Sequence, residues 1–362
     1  MTKEIEDLRN QIDQIDKEIV GLLNKRAQAA KQIGEIKKRN QISVRNLQRE
    51  KEVISNVLEE NEKYGVFPKE ALEIIYKEII SAISSLEGAV KIAYFGPKAT
   101  FTHQAAISHF GLSSDYIACD SISMVFELVE SGNAHYGVVP IENTIEGVVN
   151  HTIDLLMDAD LLIVGEIIIP INLFLLSTEN DIAKINKVYS HKHALAQSRK
   201  FLEKHLPFAE ILEAKSTANA CEIAQKEQGS AAIASEVASY VYGLNILAKS
   251  IQDQKNNFTR FLIIGKTPTK LTGNDKTSFI MGVKNQTGAL YKALEVFYRN
   301  NINLTKIESR PSKKKIWDDI FYVDTEGHIE DNNVKSALEE LEKNNQLIKF
   351  LGSYPKDESK RV

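Results

Sequence analysis

Gly137–Leu156 reads GVVPIENTIEGVVNHTIDLL, an apolar strand that breaks into polar residues and then into a helix. At its start, Tyr136–Val139 is short, apolar and β-branched, which is typical of a buried strand. Pro140 is expected to end this strand, because proline cannot donate a hydrogen bond to a sheet. An apolar strand that runs into carboxylate, amide and hydroxyl groups at Glu142–Thr144 indicates an α/β sheet that delivers polar groups to a crevice. The amide and hydroxyl alone are equally compatible with an ordinary turn and a helix cap.

The composition of the chain excludes several classes of protein. With 362 residues, two or three domains are expected. The net charge of −4 gives no reason to expect binding to nucleic acid or to an anionic membrane. Cys119 and Cys221 are too few for a disulfide framework or a metal site. Glu166 and Pro170 interrupt the most apolar stretch, so it is too short to span a bilayer. The charged, amphipathic N-terminus is unlike a signal peptide, and a cytoplasmic enzyme is expected.

Short strands alternate with helices from Val90 to Gly265. This pattern predicts parallel sheets, and the length suits two small lobes with a cleft between them. Near the end of this region, Asn257–Phe261 reads NFTRF and directly precedes an apolar strand. On its own, Thr-Arg-Phe more often marks a turn with a capping threonine and a surface arginine. His103 and His191 are further candidates for a general acid, although a histidine in a loop is more often a surface residue.

Together, the strings at 137–156 and 257–261 resemble the prephenate dehydratase family, over residues 90–266. The resemblance implies a two-lobed α/β domain similar to the periplasmic binding proteins. It also implies the reaction, in which prephenate loses its ring carboxylate as CO₂ and its C4 hydroxyl as water to give phenylpyruvate. The leaving hydroxide needs a proton donor. The departing carboxylate is better held in a poorly solvated pocket than in a tight ion pair, which would stabilise the ground state as well.

The resemblance also implies roles for individual residues. It places Thr259 at the departing hydroxyl, as the proton donor or as the group that orients one, and Arg260 as the anchor of a carboxylate. We rank His103 and His191 below Thr259 as the acid. The implied catalytic set is Glu142, Asn143, Thr259 and Arg260, and the other residues implied to bind substrate are Thr144, Ser190, Gln197, Thr217 and Phe261.

The first ninety residues predict helices. Apolar residues recur at alternating spacings of three and four, which indicates one long helix with a heptad seam. Further helices are predicted from near Leu47 and from about Lys69 to Leu86. Arg26 occupies an apolar position of the seam, where a guanidinium is costly unless an anion meets it. The seam consists of Ile5, Leu8, Ile12, Ile15, Ile19, Leu22, Ala29, Ile33 and Ile36.

The positions of two other basic residues on this helix are relevant to an anion site at Arg26. Lys37 lies eleven residues further on, close to the same face of the helix. Arg9 lies seventeen residues earlier, about 25 Å along the helix axis at the standard rise. Arg9 and Arg26 can therefore share a small ligand only across an antiparallel dimer.

Residues 1–88 resemble the all-helical chorismate mutase domain. The rearrangement of chorismate is unimolecular and needs no acid, base or metal, so fixed cations that hold the compact conformer and stabilise charge at the breaking C–O bond are sufficient. The resemblance implies that Lys37 and Glu87 act at the ether oxygen and that Arg9 comes from the partner subunit. The implied substrate-binding residues are Arg9, Arg26, Lys37, Asn46, Arg49, Glu50 and Glu87.

Residues 274–362 show a βαββαβ pattern after a polar linker. This pattern resembles the ACT regulatory domain in its phenylalanine-binding form. Gly-Ala-Leu opens a helix, whose N-terminus suits the carboxylate of an amino acid, and Glu-Ser-Arg-Pro ends a strand. The resemblance implies that L-phenylalanine binds as an effector at Gly288, Ala289, Leu290, Glu308, Ser309, Arg310 and Pro311.

The three resemblances imply a multidomain α and α/β chain, with a helical mutase hairpin at 1–88, a dehydratase domain at 90–266 and a ferredoxin-like ACT domain at 274–362. Bifunctional chorismate mutase/prephenate dehydratases of phenylalanine biosynthesis have this order. It implies conversion of chorismate to prephenate and then to phenylpyruvate, with feedback inhibition by L-phenylalanine. It also implies no cofactor, no metal, and a homodimer or higher homo-oligomer.

Three alternatives stay open at this point. The helical segment could serve only to dimerise a monofunctional dehydratase, since Asn46 stands where an aspartate is often found and Glu87 where many mutases have glutamine. The dehydratase could act on arogenate instead of prephenate. A binding-protein cleft joined to an ACT domain could be a non-catalytic amino-acid sensor, which would leave the match at Thr259–Phe261 unexplained.

Overall fold

A computed structural model describes residues 3–40, 47–88, 90–284, 286–311, 319–343 and 347–357. The chain divides into two compact units, which are residues 1–91 with 110–115, and residues 92–109 with 116–362. Within the described ranges, no helix is long and apolar enough to cross a membrane.

The described part of the first unit confirms the predicted helices. They are α1 (Lys3–Arg39), α2 (Leu47–Tyr64) and α3 (Lys69–Glu87), and α3 packs against both of the others. The large apolar side chains of the α1 seam remain accessible, with exposed fractions between 42% at Ile5 and 63% at Leu22. An apolar stripe of this length on one helix is the kind of surface that packs against a further helix.

The first lobe of the predicted dehydratase region surrounds the string at 137–156. Its strands follow the order β2-β1-β3-β11-β5 in one sheet, with β4 paired to β3. The elements are β1 (Lys91–Phe95), α4 (Phe101–Phe110), β2 (Asp115–Cys119), α5 (Ile122–Glu130), β3 (Tyr136–Asn143), β4 (Gly147–Val148), α6 (Asn150–Asp158), β5 (Leu162–Pro170) and, from later in the chain, β11 (Phe258–Gly265).

The second lobe is formed by the residues between β5 and β11. Its strands follow the order β10-β6-β9-β7-β8. The elements are β6 (Phe174–Ser177), a 3₁₀ turn (Ile182–Lys184), β7 (Lys187–Ser190), α7 (Lys192–Gln197), α8 (Arg199–His205), β8 (Glu210–Glu213), α9 (Thr217–Lys226), β9 (Ser230–Ala234), α10 (Glu236–Tyr242) and β10 (Asn245–Ala248). The two predicted lobes are therefore confirmed.

Two sequence-based expectations about this sheet were wrong. The sheets are mixed rather than parallel, because β11 returns from the second lobe and runs antiparallel to both β3 and β5. In addition, β3 does not end at Pro140. The pairing of β3 with β11 skips Ile141, so that Phe261 lies opposite Pro140 and Arg260 lies opposite Glu142. A bulge of this kind accommodates a residue that cannot donate to the ladder.

The C-terminal region has the predicted βαββαβ fold. Its strands are all paired antiparallel in the order β13-β14-β12-β15. The elements are β12 (Asp275–Val283), α11 (Ala289–Arg299), β13 (Leu304–Pro311), β14 (Asp319–Glu326), α12 (Asn332–Lys343) and β15 (Leu347–Pro355).

The ACT sheet has one face on its own helices and the other on the dehydratase lobe. Phe279 and Met281 pack with the helices α11 and α12. Ile280, Tyr322 and Tyr354 instead join the hydrophobic core of the first lobe. Since successive residues of a strand point to opposite faces, this sheet is buried on both sides.

The close approach of the ACT sheet to the lobe depends on Gly352, and this gives a first prediction. A Cβ added to Gly352 would lie 2.1 Å from the backbone oxygen of Ile163, and the residue also has φ +144°. Gly352→Ala should therefore cost about 3 kcal/mol in the free energy of unfolding.

Gly273→Ala is the matched control, because Gly273 also has positive φ (+90°) but open space around it. It should cost about 1 kcal/mol. Thermal unfolding of the full-length variants compares the two. Equal shifts of the unfolding midpoint in the two variants would mean that the close approach to Ile163 does not add to the cost of Gly352→Ala.

Candidate active sites

Thr259 lies on β11 directly opposite Asn143 on β3. The side-chain nitrogen Nδ2 of Asn143 donates to Oγ1 of Thr259 at 2.8 Å. The oxygen Oδ1 of Asn143 accepts from the backbone N–H groups of Ile145 and Glu146, which fixes how the amide is turned. Because an amide NH₂ can only donate, Thr259 is the acceptor in this contact, and its own hydroxyl proton is left for another acceptor.

Further amides continue this contact into the second lobe. Asn257 accepts at Oδ1 from Asn143 at 2.8 Å and donates from Nδ2 to Oε1 of Gln197 at 3.1 Å. Since Gln197 is the last residue of α7, these hydrogen bonds join the two lobes. The structure thus brings Asn143, Thr259 and Gln197 together. Asn257 was not among the predicted site residues, although it opens the NFTRF string.

A second bridge between the lobes involves Glu146, in the turn after β3. Its carboxylate lies 2.7 Å from Nδ1 of His193 and accepts from Nε2 of Gln197 at 3.5 Å. His193 stacks on His191, with ring centroids 5.0 Å apart. Burial, and then the charge of His193, lowers the pKa of His191, which makes it a weak source of protons near neutral pH. Glu146 and His193 were not predicted as site residues, although both adjoin the predicted ones.

The role of Arg260 as the anchor of a carboxylate stays a prediction, and its side chain points away from Thr259. Its side chain is 8% exposed, and each of its nitrogens donates within the protein. Nε donates to Glu166 at 2.7 Å, Nη1 to Asp324 at 2.5 Å and Nη2 to the hydroxyl of Tyr354 at 2.9 Å. Burial opposes its charge, but the facing carboxylate of Asp324 keeps the pKa of Arg260 well above its ordinary value. These bonds hold the guanidinium between the first lobe and the C-terminal sheet.

Glu142 also lies near the C-terminal domain, and its catalytic role stays a prediction. Its carboxylate lies 3.0 Å from Nζ of Lys306 on β13, whereas its neighbour Asn143 turns toward Thr259. The alternation of side chains along a strand accounts for the difference. Glu142 therefore faces the ACT domain and not the cleft.

Four other predicted residues have structural contacts. Ser190 has no exposed surface and donates to the backbone oxygen of Ile233, and Phe261 is only 2% exposed. Their roles in binding substrate stay predictions. The hydroxyl of Thr144 accepts from the backbone N–H of Phe258 and donates to the backbone oxygen of Asn256, and thereby holds the turn before Thr259. Thr217 is the first residue of α9, which is capped by Ser216.

His103 supports the ranking of Thr259 above the histidines. Its ring is 6% exposed and stacks on Tyr94, and Nδ1 accepts from the backbone N–H of Ala99 at 3.1 Å. Burial, helped by Lys98, lowers the pKa of His103 to about 4. It is therefore neutral near pH 7 and unsuited to protonating a leaving hydroxide.

The mutase residues lie on the helices of the first unit. Arg26 and Lys37 are half-buried on α1, Arg9 is exposed near the start of the same helix, and Glu50 is half-buried on α2. Arg49 is exposed on α2, and its Nη1 donates to Glu52 one turn away at 3.1 Å. Of the other two predicted residues, Asn46 lies outside the described residues, and Glu87 is described only as the last residue of α3.

The proposed effector residues lie at a helix start and on a strand. Gly288 precedes α11 with φ +78°, Ala289 is buried and Leu290 packs against the ACT core.

The strand β13 carries the second effector motif, and side chains alternate along it, with Glu308 and Arg310 half-buried and Ser309 and Pro311 exposed. Arg310 donates to both carboxylate oxygens of Asp154 on α6, at 2.9 and 3.1 Å. This contact joins β13 to the first lobe, and the effector role of Arg310 stays a prediction.

Family models match three parts of the chain. Residues 8–88 match chorismate mutase type II, residues 92–269 match prephenate dehydratase, and residues 277–343 match the ACT domain.

Full-length relatives carry both enzymatic parts. The chain is 57% identical over 356 residues to the bifunctional chorismate mutase/prephenate dehydratase of Aquifex aeolicus (strain VF5), with 98% of each chain covered. It is 31% identical to the protein of the same name from Escherichia coli (strain K12), which covers 97% of this chain and 96% of that one.

A solved structure of prephenate dehydratase from Arthrobacter aurescens in complex with L-Phe has a TM-score of 0.69 to this chain at 31% identity. The match covers 75% of this chain and 92% of that one. The full-length matches favour the bifunctional interpretation over a monofunctional dehydratase. The chain belongs to the bifunctional chorismate mutase/prephenate dehydratase family.

Proposed function

We propose that the two reactions of this family take place at separate sites in this chain. An isomerase site in the first unit converts chorismate to prephenate, and a lyase site in the second converts prephenate to phenylpyruvate. The proposal includes a cytoplasmic location, which the small number of cysteines supports.

The contact between Asn143 and Thr259 is the observation that carries the dehydratase proposal. Asn143 donates to Thr259, which leaves the threonine proton available to the departing C4 hydroxyl of prephenate. As the C–O bond breaks, that oxygen takes the threonine proton and leaves as water, and the threonine oxygen then regains a proton from solvent. The ring carboxylate leaves as CO₂, and its bonding electrons complete the aromatic ring.

The surroundings of Thr259 suit the loss of CO₂. Asn143, Asn257 and Gln197 supply amide groups, and Arg260 is turned away. A guanidinium on the ring carboxylate would stabilise the ground state that the reaction has to leave. Amide and hydroxyl groups orient the carboxylate without that cost.

For the mutase we propose that Arg26, Lys37, Arg49 and Glu50 bind chorismate together with Arg9 of the partner subunit. Arg26 interrupts an otherwise apolar seam, which is best explained by an anionic ligand. The apolar seam of α1 is exposed, which supports a dimer in which a second copy of this chain covers the seam. A homodimer is therefore part of the proposal.

Absorbance assays of the purified protein with chorismate, prephenate and arogenate test the proposed substrates. We expect chorismate and prephenate to be consumed. If kcat/KM for arogenate were about tenfold or more above that for prephenate, arogenate would be the second substrate instead. A tenfold ratio corresponds to about 1.4 kcal/mol in transition-state binding.

For the effector we propose that L-phenylalanine binds at the start of α11, near Gly288, and against β13 at Ser309 and Pro311. Backbone N–H groups at a helix start suit the effector's carboxylate. Gly288 is exposed, with nothing within 4 Å of the position of a Cβ, so the site has room for a ligand.

Gly288→Trp should weaken inhibition by L-phenylalanine by about a hundredfold or more, because the indole would fill the space at the helix start. Gly288→Ala is the control, because alanine at this position has the same left-handed φ but is small. Its inhibition constant for L-phenylalanine should stay within about threefold of the wild-type value. Dehydratase assays with increasing L-phenylalanine give both constants. Unchanged inhibition in Gly288→Trp would place the effector elsewhere.

A further inference from the structure

Adjacent residues of β3 and β11 serve opposite faces of the sheet. Thr259 pairs with Asn143, and Arg260 pairs with Glu142. Because side chains alternate along a strand, the first pair faces the junction of the two lobes and the second pair faces the ACT domain. The contacts agree with this placement, since Asn143 donates to Thr259 while Glu142 meets Lys306 of the ACT domain. The proposed catalytic pair, Asn143 and Thr259, therefore lies on the opposite face of the same two strands from Glu142 and Arg260, which the ACT domain contacts.

The contact behind Thr259 is a buried ionic cluster. Arg260 donates to Glu166 of the dehydratase lobe and to Asp324 of the ACT sheet. Lys276 of the ACT sheet donates to both oxygens of Glu166, at 2.8 and 2.9 Å. The four side chains are 8% exposed or less, and the two cations balance the two anions.

Neutral hydroxyl groups extend this cluster within the ACT sheet. Ser278 donates to the second oxygen of Asp324 at 2.6 Å and shares a hydrogen bond with the hydroxyl of Tyr354 at 2.6 Å. Tyr354 in turn accepts from Arg260. Each carboxylate of the cluster therefore accepts several hydrogen bonds. Hydrogen bonds from both the dehydratase lobe and the ACT sheet fix the geometry of the cluster.

Stability does not explain a cluster of this kind. Removing four charges from water costs several kcal/mol per ion, and apolar residues of similar volume often stabilise such a site equally well. What the charges do provide is orientation, because a guanidinium with three partners tolerates few positions. The neighbouring strand β3 is also bulged at Ile141, opposite Arg260 and Phe261, so the ladder between β3 and β11 alone determines their path less tightly.

We propose that Arg260 and Glu142 are positioning residues, through which the ACT sheet holds Thr259 and Asn143 in the geometry needed for the dehydratase step. The proposal rests on the proposed role of Thr259. It also names a route for the effector, because β13 carries both Lys306 and, two residues further on, the motif Glu308–Pro311. A shift of β13 on binding L-phenylalanine would move Lys306 against Glu142, and Glu142 lies next to Asn143.

The first test uses two variants on opposite sides of the contact, Glu142→Gln and Lys306→Gln. Each should lower the dehydratase kcat about tenfold, since small misplacements at a reacting centre have effects of this order, while KM stays within about twofold. The double variant should be no slower than either single variant, because both remove the same contact. Arg299→Gln is the control. It removes an ion pair with Glu340 on the outer helices of the ACT domain and should leave kcat unchanged.

Arg260→Lys tests the ionic cluster, because it keeps the charge but loses the three-way contact. It should lower kcat with little change in KM, and the thermal midpoint identifies any variant that fails to fold. A kcat within twofold of wild type in both Glu142→Gln and Lys306→Gln would overturn the proposal whatever Arg260→Lys does. So would independent, multiplicative losses in the double variant.

The effector route has its own readout. In Lys306→Gln, calorimetry should give an unchanged affinity for L-phenylalanine, while saturating effector inhibits the dehydratase at least about threefold less than in wild type. Full inhibition in this variant would remove Lys306 from the route. A wild-type protein without dehydratase activity would instead contradict the proposed function, so the two failures are distinguishable.

Discussion

Thr259→Ala should lower the dehydratase kcat about a hundredfold or more, which is the scale of one lost acid-type or oxyanion-type contact. The threonine hydroxyl is oriented by Asn143, which can only donate to it, so its proton is available for the leaving hydroxide. Alanine removes that proton and leaves the Asn143 amide without this acceptor. A spectrophotometric assay of phenylpyruvate formation from prephenate measures the loss.

Two controls separate chemistry from folding in this variant. Thr259→Ser keeps the hydroxyl and should retain kcat within about fivefold of wild type. Chorismate mutase activity should be unchanged in both variants, because that site lies in the first unit. A dehydratase kcat near wild type in Thr259→Ala would remove Thr259 from the mechanism.

Arg26→Met should lower the mutase kcat/KM about a thousandfold, since one fixed charge aimed at a developing negative charge contributes on this scale. Methionine has a similar length and is apolar, and it returns the seam of α1 to a regular heptad pattern. The thermal stability of the helical unit should therefore stay the same or rise. Loss of activity with no loss of stability is the expected signature of a ligand-binding arginine in an apolar seam.

Lys25→Met is the matched control for Arg26→Met, because Lys25 is exposed next to Arg26 on α1. It should leave the mutase unchanged. Dehydratase activity should persist in both variants. If Arg26→Met kept full mutase activity, chorismate would not bind at this seam.

The sequence predicted most helices and strands, because their hydrophobic periods are regular. In the ACT domain, the observed order of strands and helices is the predicted βαββαβ order. The helices of the first unit were also expected from their heptads. The direction of the strands was not predictable in this way. An alternation of strands and helices does not show that β11 crosses back between the lobes and runs antiparallel to its neighbours.

The different surroundings of Thr259 and Arg260 have a single physical cause. The NFTRF string places the two residues together in the sequence, but a strand sends neighbouring side chains to opposite faces. That Thr259 and Arg260 diverge could have been read from this alternation. The residues that cover each face of the sheet could not be predicted, because Asp324 and Tyr354 come from a different domain. The same limit applies to Glu142 with Lys306 and to Arg310 with Asp154.

The residues that sequence reasoning did not assign are bridging residues. Asn257 and Glu146 each connect one lobe to Gln197, and His193 meets Glu146 from the second lobe. Their roles depend on how the two lobes face each other. No local pattern in the sequence carries that information.

The most direct test of a chain with two separate sites is to supply chorismate alone to the purified protein and follow chorismate, prephenate and phenylpyruvate over time. We expect wild type to form phenylpyruvate with prephenate as an intermediate. Thr259→Ala should instead accumulate prephenate, and Arg26→Met should leave chorismate untouched while still converting added prephenate. Wild-type protein that consumes prephenate but not chorismate would contradict the bifunctional account.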